Sequence, residues 1–145
     1  MFAGVSKEQD ALALKQQVPV HLTPLFLEVT DAASIAAAAT QVSEAVGEAG
    51  LVELVNCAGI GVTAPIELVP LKELRRQFDI NVIGQVEVIQ AFLPLIRATR
   101  GRIINVGSVG GKITIPFGGP LCSSKYAIES INDALRIPRI AQRGY

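Results

Sequence analysis

The chain has no net charge to offer a polyanion: 13 lysines and arginines are matched by 13 aspartates and glutamates. A general affinity for nucleic acid or anionic lipid is excluded on that balance. Histidine occurs once, at His21, and cysteine twice, at Cys57 and Cys122. A zinc site of clustered ligands is therefore not expected, and two thiols 65 positions apart read as reduced cysteines rather than a disulfide. The first ten residues, MFAGVSKEQD, lack the basic and then apolar pattern of a secretory leader. No uninterrupted apolar run approaches the ~18 residues that span a bilayer. A soluble, cytoplasmic protein with no membrane partner is the expectation. His21 is given no functional role, and no metal is expected.

What is present is half hydrophobic and only 18% charged, in 145 residues, enough for one domain with a real core. Short apolar or β-branched runs alternate with longer stretches of helical period, the pattern of a parallel α/β sheet. Strands are expected at 2–5, 22–29, 51–56 and 102–106. A weak helix should occupy 7–17. From Asp31 the apolar positions Ile35, Ala38, Val42, Ala45, Val46 and Ala49 recur at helical spacing, with Thr30 or Asp31 as N-cap and Gly50 as the stop. Pro70 can open a long helix reaching about Ala98, its apolar side formed by Leu71, Leu74, Phe78, Val82, Ile89 and Phe92. A glycine-rich loop from Gly107 to Gly119 precedes a last helix that begins at Leu121 or Cys122 and runs to about Arg136, beyond which Pro138 disfavours helix.

Four segments carry chemistry: VNCAGIG at 55–61, FDINVIG at 78–84, GRIINVGSVGG at 101–111 and LCSSKYAIESINDALR at 121–136. In this order and at these separations they resemble the central signatures of the short-chain dehydrogenase/reductase family, over nearly the whole chain from Phe2 to Arg136. The resemblance implies a Rossmann-type, doubly wound parallel α/β sheet and reversible hydride transfer between NAD or NADP and a small carbonyl or alcohol. It also implies site residues. Ser108 matches the serine that polarises the substrate oxygen. Lys125 matches the lysine that holds the nicotinamide ribose and lowers the pKa of a neighbouring tyrosine. Asn81 matches a helix asparagine that supports a water-mediated proton path. Asn56, Ala58 and Gly59 match the turn bordering the cofactor, and Glu28 and Val29 match the pair facing its adenine. The helices at 70–98 and 121–136 resemble those through which family members form dimers and tetramers.

Two departures are as informative as the matches. The family's acid/base tyrosine lies four residues before the lysine and thirteen after the serine, and both counts fall on Leu121. Tyr126 is no substitute, because residues adjacent in a helix project about 100° apart. Leucine has no ionisable proton, so this chain is expected to be impaired, with roughly 10² to 10⁴ of rate missing. The second departure is that Phe2–Val5 resembles the family's second strand, with no TGxxxGIG phosphate turn before it. In the family's strand order the missing strand is central. The strand at 2–5 is thus expected to pair directly with 51–56, lose order, or pair with another chain. No acidic residue ends the 2–5 strand to bind a free ribose 2′-hydroxyl, and Lys7 lies close, which leans the cofactor toward NADP. The alternative reading is a non-catalytic relative acting through its helices, or a fragment of an active enzyme.

Overall fold

The computed structural model describes residues 1–17 and 21–137. Pro138 lies outside the described residues. The elements run β1 (Phe2–Val5), α1 (Glu8–Gln17), β2 (Thr23–Phe26), α2 (Ala32–Val46), β3 (Glu53–Asn56), α3 (Leu71–Phe78), a π-helical turn at Asp79–Ile83, α4 (Gly84–Ala98), β4 (Arg102–Asn105) and α5 (Gly119–Arg136). The alternation of strand and helix is the expected α/β pattern. Two compact units emerge: Met1–Asn56 with Ile83–Ile104, and Cys57–Val82 with the chain from Asn105 onward.

In the first unit, apolar periodicity explains the packing. Ile35, Ala38 and Val42 of α2 share one face and are buried with Leu25 of β2 and with Val88 and Phe92 of α4. Phe2, Leu27, Val29, Leu51 and Leu54 pack around this cluster. Asp31 caps α2 by accepting the Ala33 amide on its carboxylate. The helix stops at Gly47 rather than Gly50, and a 3₁₀ turn over Gly47–Ala49 completes the segment. Gly50 then adopts φ 63° where a Cβ would lie 2.7 Å from the Leu95 carbonyl oxygen, so only glycine passes there.

The strands form two separate pairs. β1 runs parallel to β2, with Phe2 opposite Thr23 and Val5 opposite Phe26. β3 is bonded to β4, and the Arg102 amide donates to the Val52 carbonyl at 3.0 Å. The start of β4 thus lies beside the start of β3, and the two run in the same direction, connected through the long helix. The expectation for the first strand needs correction: β1 is ordered but does not pair with β3. Its hydrogen bonds go to β2, and the shared α2–α4 core holds both pairs without their joining. β2 is also shorter than the apolar run suggested. After Phe26 the chain turns, the Glu28 amide donating to the Ser34 hydroxyl and the Glu28 carboxylate accepting from Thr30.

Leu71–Ala98 is continuous helix of 28 residues, long and apolar enough by composition to cross a bilayer. Val88, Ile89, Phe92 and Ile96 are nevertheless buried in the protein's own core, which accounts for its apolar character. Pro70 sits at the N-cap rather than inside the first turn. α5 begins at Gly119, two residues earlier than the apolar pattern indicated, because Pro120 tolerates a first turn where its missing amide costs nothing.

Candidate active site around Asn81 and Lys125

Asparagine is a poor residue for the middle of a helix, and Asn81 sits in the π-helical turn that interrupts Leu71–Ala98. It is fully buried. Its Oδ1 accepts the Ile60 amide at 2.8 Å, and its Nδ2 donates to the Ile60 carbonyl at 2.8 Å and to Ser124 Oγ at 3.1 Å. Both amide protons are thus spent on protein acceptors, and the side chain has none to offer a water. Asn81 ties the Cys57–Val62 turn to α5.

Gly59 lies where this turn passes Asn81. A Cβ on Gly59 would fall 3.3 Å from Asn81 Oδ1 and 3.9 Å from Lys125 Nζ. The missing side chain leaves an exposed recess beside the ammonium group, a cradle that one methyl would fill. Lys125 itself is 9% exposed, an unusual state for a lysine, and its Nζ donates to the Val106 carbonyl at 2.8 Å. Burial pushes its pKa below the ordinary amine value, while the nearby Cys57 sulfur opposes that shift to a smaller degree. The adjacent Tyr126 points outward, 44% exposed, as the 100° step between neighbours requires.

Ser108 follows β4 and caps a single 3₁₀ turn, Val109–Gly111, its Oγ accepting the Gly110 amide at 3.0 Å. It is exposed, and its hydroxyl proton meets no acceptor among the described residues. The turn it opens packs on α5: a Cβ on Gly111 would meet the Lys125 carbonyl at 3.0 Å, and one on Gly110 would meet Cys122 Sγ at 3.1 Å. Leu121, in the first turn of α5, is half-buried, and its Cδ2 lies 3.7 Å from where a Gly61 side chain would start.

Asn81, Gly59, Lys125, Ser108 and Leu121 therefore belong to one unit, as does the exposed Ala58. Glu28, Val29 and Asn56 belong to the other. There Val29 packs against the core and Glu28 closes its own turn, while Asn56 is buried at the end of β3. Gln77 and Ser124 are buried polar residues that the motifs did not single out. A signal existed: Gln77, Asn81 and Gln85 recur every four residues, a polar stripe on a helix face that is otherwise apolar. Ser124 Oγ accepts from Asn81 and donates to the Leu121 carbonyl at 2.8 Å.

Parallel strands alternating with helices, with a glycine turn following a strand's carboxyl end, make this a Rossmann-type α/β chain. The chain belongs to the short-chain dehydrogenase family, whose model matches residues 2–140. It is 42% identical to human (Homo sapiens) retinol dehydrogenase 16 over 137 residues, 94% of this chain and 43% of that protein. It is 37% identical to an NADPH-dependent 3-dehydrocapnine reductase from Ornithobacterium rhinotracheale over 141 residues, 94% of this chain and 50% of that protein. Among solved structures, an NADPH-bound carbonyl reductase from chicken fatty liver superposes with a TM-score of 0.80 and 30% identity, over 90% of this chain and 56% of that one. The chain thus spans about half the length of the relatives it matches.

Proposed function

We propose that this chain is the central segment of an NAD(P)-dependent oxidoreductase that moves a hydride between the nicotinamide and a small carbonyl or alcohol, with its acid/base step impaired by Leu121. The observation that carries the reading is Gly59, whose missing side chain leaves room beside Asn81 Oδ1 and Lys125 Nζ.

The residues present fit a nicotinamide nucleotide. Lys125 would hold the ribose hydroxyls, and Gly59 and Ala58 would let the nucleotide approach the backbone. The bound nucleotide supplies the hydride acceptor or donor. Ser108, with a proton unspent on protein, would hydrogen-bond the substrate oxygen. Asn81 would support the proton path by fixing the turn and α5. At the tyrosine position Leu121 supplies an apolar wall and no proton, so exchange with water must serve in its place. NADP is favoured over NAD because β1 ends at Val5 and is followed by Ser6 and Lys7, a cation suited to a 2′-phosphate and no carboxylate suited to a 2′-hydroxyl.

The test places residues 2–137 into the 3-dehydrocapnine reductase in place of its matching segment. The chimera is expected to bind NADPH and to reduce the reductase's substrate slowly in single turnover. A chimera that folds and fails to bind NADPH contradicts the reading.

A further inference from the structure

Gln77 has no exposed surface and hydrogen-bonds at both ends of its amide. Its Oε1 accepts the Val62 amide and its Nε2 donates to the Pro120 carbonyl, each at 2.5 Å. One helical turn further on, Asn81 bonds both backbone groups of Ile60. The two side-chain amides at 77 and 81, one helical turn apart, thus meet backbone groups at 62 and 60, two residues apart.

We propose that Gln77 is a positioning residue: with Asn81 it forms a two-rung amide ladder that fixes the Ile60–Val62 segment and, through Pro120, the first turn of α5. Gly61 lies between the rungs and Leu121 directly follows Pro120, and these two face each other. The ladder thus holds the Gly61 backbone against the Leu121 side chain. Without Gln77 the Val62 amide and the Pro120 carbonyl lose their partner, and the second rung has nothing to hold it in register. The consequence for catalysis rests on the function proposed above; the ladder does not.

The 145-residue chain is tested by amide hydrogen exchange, corrected for intrinsic rates, at Ile60 and Val62, with Val42 and Phe92 reporting the separate α2–α4 core. Gln77→Leu removes donor and acceptor, and protection at Val62 is expected to fall at least tenfold at every pH while Val42 and Phe92 are unchanged. Gln77→Glu is the conservative variant. Protonated, it has the donor and acceptor of glutamine; ionised, it has no donor for Pro120. Protection at Val62 should therefore be restored at about pH 5. Once the buried carboxyl ionises, toward about pH 8.5 because burial raises its pKa, the carboxylate can still accept the Val62 amide but is repelled by the Pro120 carbonyl and drawn toward water. The segment then opens and protection at Val62 falls. The parent should show no such step. If Gln77→Leu does not fold, the pH step in Gln77→Glu decides alone. Val62 protection within twofold of the parent in a folded Gln77→Leu, or Gln77→Glu without a pH step, overturns the proposal. Neither readout depends on a nucleotide, so failure of the ladder and failure of the oxidoreductase reading remain distinguishable.

Discussion

Asn81 and Ile60 exchange two hydrogen bonds, each 2.8 Å, across 21 residues of sequence. The same amide reaches Ser124 on α5, so one buried side chain secures three groups. Replacing it with alanine leaves those groups without their partner. At roughly 1 kcal/mol net per bond, and more where a buried group goes unsatisfied, Asn81→Ala should cost about 2 to 4 kcal/mol of stability in urea denaturation. A loss below about 0.5 kcal/mol, the scale of an ordinary surface change, would mean that the buried amide contributes little.

Lys125 predicts a pH signature. Its folded-state pKa is depressed by burial. Between that value and the unfolded value of about 10.4, the unfolded chain binds more protons, so stability rises with pH across the window and the burial penalty is fully present below it. Lys125→Met keeps much of the apolar stem and has nothing to titrate. The stability of the parent minus that of Lys125→Met should climb as pH approaches about 10.4 and then level off. Measured in urea at a series of alkaline pH values, a difference that falls over this range would contradict the burial argument. Lys112 carries the opposite shift, raised chiefly by its hydrogen bond to Glu129 and further by that carboxylate's charge, and it cancels in the comparison.

The 145-residue chain alone should bind NADP or NAD only weakly. These 145 residues contain no TGxxxGIG turn to supply the backbone amides and helix dipole that receive a pyrophosphate. Calorimetric titration should show no low-micromolar site for either nucleotide. Such a site would mean that the Gly59 recess and its surroundings suffice by themselves.

For the same reason Leu121→Tyr in the 145-residue chain should not produce robust turnover. The substitution supplies a proton donor, but not the TGxxxGIG turn that these 145 residues do not contain. Steady reduction of a carbonyl by this variant with NADPH would show that the missing segments matter less than the phosphate argument requires.

Most of the architecture was readable because it follows from periodicity. The α2 face of Ile35, Ala38 and Val42 and the cap at Asp31 are local patterns with local consequences. The two ends read imprecisely, Gly47 and Gly119, depend on a positive φ and on a proline at a first turn, and both compete with an apolar pattern that runs past them. The pairing of β1 with β2 follows the family strand order that the resemblance implies, whereas the expected pairing of β1 with β3 across the place of the missing strand is not found, because the α2–α4 core holds the two strand pairs without their joining. At the site, the motifs pointed to Asn81, Ser108 and Lys125, each beside a glycine turn. The polar stripe of Gln77, Asn81 and Gln85 marked Gln77 as unusual, but its backbone partners lie 15 or more residues away and Ser124 bonds a neighbouring turn, so what these residues hold could not be read from the sequence. Glu28 and Val29 are engaged in a turn and in core packing, a local task that the same residues perform whether or not a nucleotide is present.

Leu121 is proposed to stand in the place of a proton donor. The measurement that tests it most directly is the single-turnover rate of NADPH oxidation in the 3-dehydrocapnine reductase chimera carrying residues 2–137, compared with the same chimera bearing Leu121→Tyr. With NADPH binding confirmed in both, the account predicts that the substitution raises the rate by roughly 10² to 10⁴, the contribution of a positioned acid/base group. Equal rates in the two chimeras would contradict it.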